Sequence, residues 1–275
     1  MKLNFTKMHG LGNDFMVVNL INQHHHFNQG QVQRLADRNK GIGFDQLLLV
    51  EPPMDPETDF HFRIFNADGS EAGQCGNGMR CLARFVRDQK LTWKNHIKAT
   101  TISGQVSMKI EKSGLVSVRM GQPKFAPADI PVAREEADSY RFETPLGIVD
   151  LHCVSMGNPH ALMFFDDIES VDVDTLGEYL MSHPDFPEQT NVGFIQVLDD
   201  KHIKLRVYER GAGETLACGS GACAAMVIAN KFAHCSDNLK VDLPGGHLFI
   251  RWHGDNKPVQ MTGPATTSFQ GQISL

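Results

Sequence analysis

Alternating apolar and polar residues predict two strands that are followed by similar sequences. Residues 60–64 (Phe-His-Phe-Arg-Ile) and 203–207 (Ile-Lys-Leu-Arg-Val) alternate with a period of two, which is typical of half-buried β-strands. Each segment leads through a glycine-containing loop into a Cys-Gly-x-Gly sequence, at 75–78 and at 218–221. The same succession of strand, loop and cysteine therefore occurs twice.

A helix is predicted after each of these cysteines. The first runs from Asn77 to about Gln89, and the second, which includes residues 222–233, is apolar almost all round. A helix of the second kind is stable only when other elements enclose it. Further alternation predicts a hairpin in each half, at 106–110 with 116–118 and at 248–252 with 259–261. We therefore predict an α+β fold in which strands wrap around a central helix in each half.

The chain carries an internal duplication. Segments 60–78 and 203–221 align without gaps, and Gly12-Asn13 upstream corresponds to Gly157-Asn158. The identical residues include Arg63/Arg206, Glu71/Glu214, Cys75/Cys218, Gly76/Gly219 and Gly78/Gly221. A proline-containing connector, 122–140, separates the halves. The repeat predicts two domains related by a pseudo-twofold axis, with a boundary near residue 120.

Length, net charge and the apolar runs indicate the number of domains and the kind of partner. A chain of 275 residues has the size at which a single core stops growing, which favours two domains. The net charge of −6 argues against nucleic acid or an anionic membrane and favours a small-molecule partner. The longest apolar run, Ala222–Ala229, is too short to span a bilayer, and the N-terminus does not resemble a signal peptide. We expect a cytoplasmic protein.

The two duplicated cysteines are the candidate chemical groups. Each precedes a helix start, where the dipole is expected to lower the thiol pKa and the N–H groups to bind an anion. A pseudo-twofold axis would place Cys75 and Cys218 on opposite sides of a cleft between domains. A thiolate and a thiol on opposite faces of a carbon suit stereochemical inversion, because one removes a proton and the other returns one.

Five segments carry a resemblance to a known family. MHGLGNDF, NADGSEAGQCGNGMRC, MGNPHA, TNVGF and YERGAGETLACGSGACAA closely resemble the signature segments of the diaminopimelate epimerase family. The resemblance implies conversion of LL-2,6-diaminopimelate to the meso form without pyridoxal phosphate or metal, in lysine and peptidoglycan precursor synthesis. It also implies two similar domains, each a mostly antiparallel sheet rolled around a central helix, 1–119 with a returning strand at 265–275 and 120–264. Homodimers are implied as well.

The resemblance assigns roles to individual residues. It makes Cys75 and Cys218 the acid/base pair, with His160 and Glu209 tuning the reacting centre. The implied substrate contacts are Asn13, Gln46, Asn66, Gly76, Asn77, Asn158, Asn191, Glu209, Arg210, Gly219 and Ser220. Arg210 is expected to be a buried partner of a substrate carboxylate. Two positions depart from the family: Met79 stands where a small residue is expected, and Phe269 stands where some members have tyrosine, which bears on the dimer.

Other interpretations stay open at this stage. A proline or hydroxyproline racemase would share the paired cysteines and the fold, whereas a dithiol redox protein would usually carry Cys-x-x-Cys, which this chain lacks. A binding module would leave both helix-start cysteines unexplained. The remaining cysteines are predicted to be core residues, namely Cys81, Cys153, Cys223 and Cys235. His24-His25-His26 is interpreted as a solvated loop, because no partner ligands stand at zinc spacing.

Overall fold

The computed structural model describes residues 2–275 and divides into two compact units. Residues up to Arg119 together with Thr262–Leu275 form unit 1, and Met120–Met261 form unit 2. Within the described residues, no helix combines the length and the apolar character that crossing a membrane requires. Each unit is a mixed sheet with two helices of eight or more residues, so the predicted α+β class is confirmed.

Unit 1 is built on one mixed sheet. Its elements are β1 (Lys2–Gly10), β2 (Asn13–Asn19), α1 (Gln29–Ala36), β3 (Gln46–Glu51), β4 (Phe60–Asn66), β5 (Glu71–Ala72), α2 (Gly76–Asp88), β6 (His96–Thr101), β7 (Gly104–Ile110), β8 (Val116–Arg119) and the C-terminal β18 (Thr266–Ser274). The strands pair in the order β18-β1-β2-β3-β4-β6-β7-β8, and β2–β3 and β4–β6 are parallel.

Unit 2 repeats this arrangement. Its elements are β9 (Tyr140–Thr144), β10 (Gly147–Ser155), β11 (Pro159–Phe164), α3 (Val173–Met181), β12 (Asn191–Asp199), β13 (His202–Glu209), β14 (Gly213–Glu214), α4 (Gly219–Ala233), β15 (Asn238–Leu243) and β16 (Gly246–Arg251). Strand β17 (Gln260–Gly263) begins in the last residues of unit 2 and ends in the first residues of the C-terminal segment of unit 1. The order β9-β10-β11-β12-β13-β15-β16 has parallel pairs at β11–β12 and β13–β15. The sequence of parallel and antiparallel pairings is thus the same as in unit 1.

A helix occupies the centre of each unit. Helix α2 packs against β1, β2, β3, β7 and β8, and α4 packs against strands β10 to β13, β15 and β16. Residues Gly221–Ala229 of α4 are all buried, which is why this helix is apolar on every face. The two helices begin at Gly76 and Gly219, so the second starts three residues before the apolar run that the sequence shows.

The identical Arg and Glu residues of the two halves form the same ion pair. Arg63 donates from Nε and Nη2 to Glu71 over 2.9 Å each, and Arg206 donates to Glu214 over 2.6 and 2.8 Å. Each bidentate pair joins a strand to the short strand that leads toward the cysteine. The loop before each helix is therefore anchored in the same way.

Candidate active site

Each duplicated cysteine caps the helix that follows it. Cys75 and Cys218 have extended backbone angles, and their Sγ atoms accept hydrogen bonds from the N–H of Gly78 (3.3 Å) and Gly221 (3.4 Å). A Cβ added at Gly221 would lie 3.2 Å from Cys218 Sγ, and one at Gly78 would lie 3.5 Å from Cys75 Sγ. Glycine at the third helical position thus lets the backbone approach the sulfur.

Asn13 lies beside Cys75 in unit 1. The Asn13 Oδ1 atom is 3.8 Å from Cys75 Sγ, which donates to it, and accepts a second hydrogen bond from Asn77 Nδ2 at 3.3 Å. Its Nδ2 atom donates to Asp45 Oδ2 at 2.8 Å. Three of the predicted residues, Cys75, Asn77 and Asn13, are therefore joined by hydrogen bonds.

Gln46 and Asn66 form a second pair in the same unit. They are direct partners in the β3–β4 register, and Gln46 Nε2 donates to Asn66 Oδ1 at 2.9 Å. Asn66 Nδ2 in turn donates to Ser70 Oγ at 3.0 Å. The Gln46 Oε1 atom is buried and has no hydrogen-bond partner among residues 2–275. A buried acceptor of this kind calls for a donor.

Several predicted residues of unit 2 are linked by a series of side-chain contacts that ends at Cys218. The buried His160 contacts Asn158 Oδ1 through Nε2 at 3.2 Å, and Asn158 Nδ2 donates to Ser220 Oγ at 3.3 Å. Ser220 Oγ lies 3.6 Å from Cys218 Sγ. Burial lowers the pKa of His160 to about 3, and the positive charge of Arg210 adds to this effect. His160 is therefore neutral at pH 7, and in this series of contacts it acts as a hydrogen-bonding group.

The pKa of Cys218 departs from the sequence-based expectation. Burial raises the pKa of this thiol well above its ordinary value, and the charge of Glu209 raises it further, against the hydrogen bonds from Ser220 and Gly221. The prediction that a helix start lowers this pKa is therefore wrong for Cys218, because desolvation of a thiolate outweighs the dipole. In this structure Cys218 is a neutral thiol.

Arg210 and Asn191 also differ from what the sequence suggests. Arg210 is exposed, and its Nη1 donates to the carbonyl oxygen of Glu188 at 2.8 Å, so the expected buried guanidinium is not observed. Asn191 is buried, and both ends of its amide contact backbone: Nδ2 donates to Pro159 O at 2.9 Å, and Oδ1 accepts from Arg210 N at 3.1 Å. Asn191 thus holds the backbone at Arg210 in place.

Comparison with known proteins decides between the racemase and epimerase interpretations. The family model described as diaminopimelate epimerase matches residues 5–126 and 152–268. A diaminopimelate epimerase of Ectopseudomonas mendocina (strain ymp) is 52% identical over 276 residues, which cover 100% of both chains. The chain belongs to the diaminopimelate epimerase family. It is accordingly an isomerase, and the predicted epimerase class is confirmed.

Solved structures share the fold of this family member at low sequence identity. A phenazine biosynthesis protein of the PhzF family from Bacillus anthracis matches with a TM-score of 0.73 and 14% identity over 100% of both chains. A hydroxyproline epimerase from Agrobacterium vitis, with bound trans-4-hydroxy-L-proline, matches with a TM-score of 0.73 and 14% identity over 100% of this chain and 93% of its own. These similarities support the α+β architecture.

Several residues around the epimerase site were not predicted from sequence. Asp45 contacts Asn13, Ser70 contacts Asn66, and the Thr215 hydroxyl donates to Glu209. In the sequence, Asp45 is marked only by its position directly before Gln46, and Ser70 only by the Asp-Gly-Ser turn after Asn66. Neither feature indicates which side chain the residue contacts. The contacts depend on strand register, which short motifs do not specify.

The remaining sequence predictions concern residues outside this site. Cys81, Cys153, Cys223 and Cys235 are buried, as expected of core residues. His24 and His26 are exposed in a loop, and His25 is half-buried against Phe27. Met79 is fully buried in the core around α2, which accounts for a large apolar residue at that position.

Proposed function

We propose that this epimerase interconverts LL-2,6-diaminopimelate and meso-2,6-diaminopimelate by a two-base mechanism. One cysteine, as thiolate, removes the α-proton, and the electron pair left on the carbon delocalises into the α-carboxylate. The other cysteine, as thiol, delivers a proton to the opposite face and becomes the thiolate. The observation that carries the proposal is the pair of helix-capping cysteines in a chain that matches the diaminopimelate epimerase family along most of its length.

The environment of Cys218 supports its role as a proton donor. A thiol whose pKa is raised by burial and by Glu209 stays protonated at neutral pH and holds a proton for the carbanion. We assign Cys75 the role of base in the same direction of turnover. After one turnover the two protonation states are exchanged, so the reverse reaction uses the same groups in opposite roles.

Polar groups on both units support substrate binding. The N–H groups of the first helical turns, at Gly76 and Asn77 and at Gly219 and Ser220, are suited to a carboxylate. The Gln46 Oε1 atom, which has no hydrogen-bond partner among residues 2–275, is suited to accept a hydrogen bond from a substrate ammonium group. Asn13, Asn66, Asn158, Asn191, Glu209 and Arg210 complete the proposed binding set, with His160 and Glu209 acting on the reacting centre.

The wider predictions remain proposals. We propose two domains, 1–119 with 265–275 and 120–264, a cytoplasmic location, and a reaction that needs neither pyridoxal phosphate nor metal, because the thiols supply both proton transfers. We also propose a homodimer, as the family resemblance implies; Phe269 on β18, the position that departs from the family, is 49% exposed beside Phe5, with ring centroids 6.0 Å apart. The mass of the protein in solution, measured by light scattering, tests the dimer.

A stereochemical assay tests the function. Purified protein is incubated separately with LL-diaminopimelate and with L-proline, and the stereoisomers are separated by chiral chromatography. We expect meso-diaminopimelate to accumulate to equilibrium and proline to remain in the L form. Racemisation of proline without conversion of diaminopimelate would overturn the proposal.

A further inference from the structure

Asp45 belongs to a cluster of charged residues behind Asn13. Its Oδ2 atom accepts hydrogen bonds from Asn13 Nδ2 at 2.8 Å and from the backbone N–H of Asp14 at 3.0 Å. Its Oδ1 atom accepts from Arg38 Nη2 at 2.7 Å. The backbone N–H of Asp45 donates in return to Asp14 Oδ1 at 3.0 Å. Asp45 is therefore fixed by four contacts around its carboxylate and backbone.

Asp14 and its cationic partners make this cluster rigid. Arg38 donates to both carboxylate oxygens of Asp14, over 2.8 and 3.0 Å. Lys7 donates to Asp14 and to the carbonyl oxygen of Gly43. Burial alone would raise the pKa of Asp14, but the hydrogen bonds and charges of Arg38 and Lys7 hold it at about 2. Asp14 therefore stays ionised throughout the neutral pH range.

The carboxylate of Asp45 determines which end of the Asn13 amide faces Cys75. An ionised carboxylate only accepts hydrogen bonds, so the Asn13 NH₂ group must point toward Asp45. The Asn13 carbonyl oxygen then points the other way, toward Cys75 Sγ at 3.8 Å and Asn77 Nδ2 at 3.3 Å. A flipped Asn13 would set its carbonyl oxygen against the Asp45 carboxylate, which is repulsive.

The orientation of Asn13 matters for the chemistry of Cys75. A carbonyl oxygen beside a sulfur accepts a hydrogen bond from the thiol and repels the thiolate, whereas an amide N–H in the same place stabilises the thiolate. The end of the Asn13 amide that faces Cys75 therefore changes the basicity of the thiolate, in addition to the hydrogen bond that Gly78 N–H donates to this sulfur. A more basic thiolate is better suited to removing a weakly acidic α-proton.

We propose that Asp45 is a positioning residue of this epimerase, which holds the Asn13 carbonyl oxygen, rather than the Asn13 NH₂ group, toward Cys75 Sγ and so affects how readily this thiol loses its proton. The inference rests on the proposed role of Cys75 as a base. It assigns Asp45 no contact with substrate. Its effect passes entirely through the Asn13 amide.

The rate of Cys75 alkylation tests this inference without any substrate. Iodoacetamide is added to Asp45→Ala, to Asp14→Ala and to the wild type at pH 7, and modification of Cys75 is followed by peptide mass spectrometry. We expect Asp45→Ala to raise the alkylation rate constant about fivefold, as one added hydrogen bond to the thiolate would. Asp14→Ala is the matched control, because it removes the other carboxylate of the ion cluster while the Asp45 carboxylate and the two N–H groups that its Oδ2 accepts from, Asn13 Nδ2 and the backbone N–H of residue 14, are all still present, and its rate should rise by less than that of Asp45→Ala.

An Asn13→Ala background separates positioning from a general structural effect. If Asp45 acts through Asn13, then Asp45→Ala changes the Cys75 alkylation rate in the wild type and not in Asn13→Ala. Three results would overturn the inference. The first is a Cys75 alkylation rate in Asp45→Ala that equals that of the wild type, and the second is an equal increase in Asp45→Ala and Asp14→Ala. The third is an increase on Asp45→Ala that is the same with and without Asn13→Ala.

Asp45→Asn is the second variant if Asp45→Ala does not fold. Its side-chain amide can donate as well as accept, so it no longer requires the Asn13 NH₂ group to face residue 45. The alkylation rate of Cys75 should rise above that of the wild type, and an unchanged rate would contradict the inference. Failure of the proposed function gives a different result. In that case the wild type does not epimerise diaminopimelate, whereas the differences in the Cys75 alkylation rate are still observed.

Discussion

Burial and a neighbouring carboxylate together keep Cys218 protonated. The thiol is buried at the start of α4, and burial raises its pKa most, with the charge of Glu209 raising it further. Thr215 donates a hydrogen bond to Glu209 and keeps this carboxylate in place. In the proposed mechanism Glu209 would therefore help Cys218 to hold the proton that it later delivers.

Replacing Glu209 should make Cys218 easier to deprotonate. We expect Glu209→Gln to increase the alkylation rate of Cys218 at pH 8, because the variant removes a negative charge that raises the pKa of this thiol. We expect epimerisation to slow in the same variant. Peptide mapping after iodoacetamide treatment gives the rate, and Glu143→Gln, at an exposed position on β9, is the control. An unchanged Cys218 rate in Glu209→Gln would contradict the electrostatic role.

At the scale of elements, the strand before each duplicated cysteine and the helix after it are the features that the sequence predicts best. The period-two segments are strands β4 and β13, and a helix follows each cysteine, as predicted. The start of α4 at Gly219 could not be located, because Gly-Ser-Gly residues disfavour helix and only the Cys218 cap makes them helical. The cap is a tertiary feature as much as a local one, since Gly221 also packs on Val207.

Adding a methyl group at the two helix starts should have unequal effects. In Gly221→Ala the new Cβ would lie 3.1 Å from Val207 Cγ2 and 3.2 Å from Cys218 Sγ, whereas in Gly78→Ala the nearest atoms are at 3.3 to 3.5 Å. We expect Gly221→Ala to lower the free energy of unfolding by about 1–3 kcal/mol and to reduce kcat, and Gly78→Ala to do less of both.

Urea unfolding and steady-state kinetics measure these effects. Gly30→Ala is the control, because the nearest atom to its added Cβ, Asn28 Oδ1, lies 3.7 Å away and alanine favours the helix. A Gly221→Ala variant as stable and active as Gly30→Ala would show that the close approach is not required.

At the scale of the whole chain, the two units share one sheet pattern but differ in their charged groups. His160 in unit 2 pairs with Asn191 in the β11–β12 register, whereas Phe15 pairs with Gln46 at the corresponding place in unit 1. Glu209 likewise ends β13, where Asn66 ends β4. At these two corresponding places unit 2 therefore carries an ionisable side chain and unit 1 does not, although the duplication makes the backbones alike.

The sequence could reveal the duplication but not these interactions. Its identical residues show which positions correspond, and the capping cysteines follow from the motif itself. The contact of Asp45 with Asn13, the exposure of Arg210 and the raised pKa of Cys218 depend on register and burial. Such features arise only when distant segments pack together.

The ionised Asp14 should make the stability of the protein depend on pH in acid. Its pKa of about 2 in the folded state lies below the ordinary value of an aspartate, so its contribution is complete above pH 4 and is lost as the pH falls toward 2. We expect Asp14→Asn to lower the free energy of unfolding at pH 7 by up to about 2 kcal/mol and by less at pH 3. Urea unfolding at both pH values measures the difference.

Asp150→Asn, at an exposed position on β10, is the control for this experiment and should change stability little at either pH. An Asp14→Asn variant whose loss of stability is equal at pH 7 and pH 3 would contradict the assigned ionisation.

The central claim is that Cys75 and Cys218 form the acid/base pair, and single-cysteine variants test it most directly. LL-diaminopimelate in deuterated water is incubated with Cys75→Ala, with Cys218→Ala and with the buried-cysteine controls Cys81→Ala and Cys223→Ala, and formation of α-deuterated meso product is followed by NMR. We predict that each of the first two variants loses about 10³-fold in kcat, while both controls that fold retain turnover near that of the wild type. Near-wild-type formation of deuterated product by either Cys75→Ala or Cys218→Ala would contradict the account.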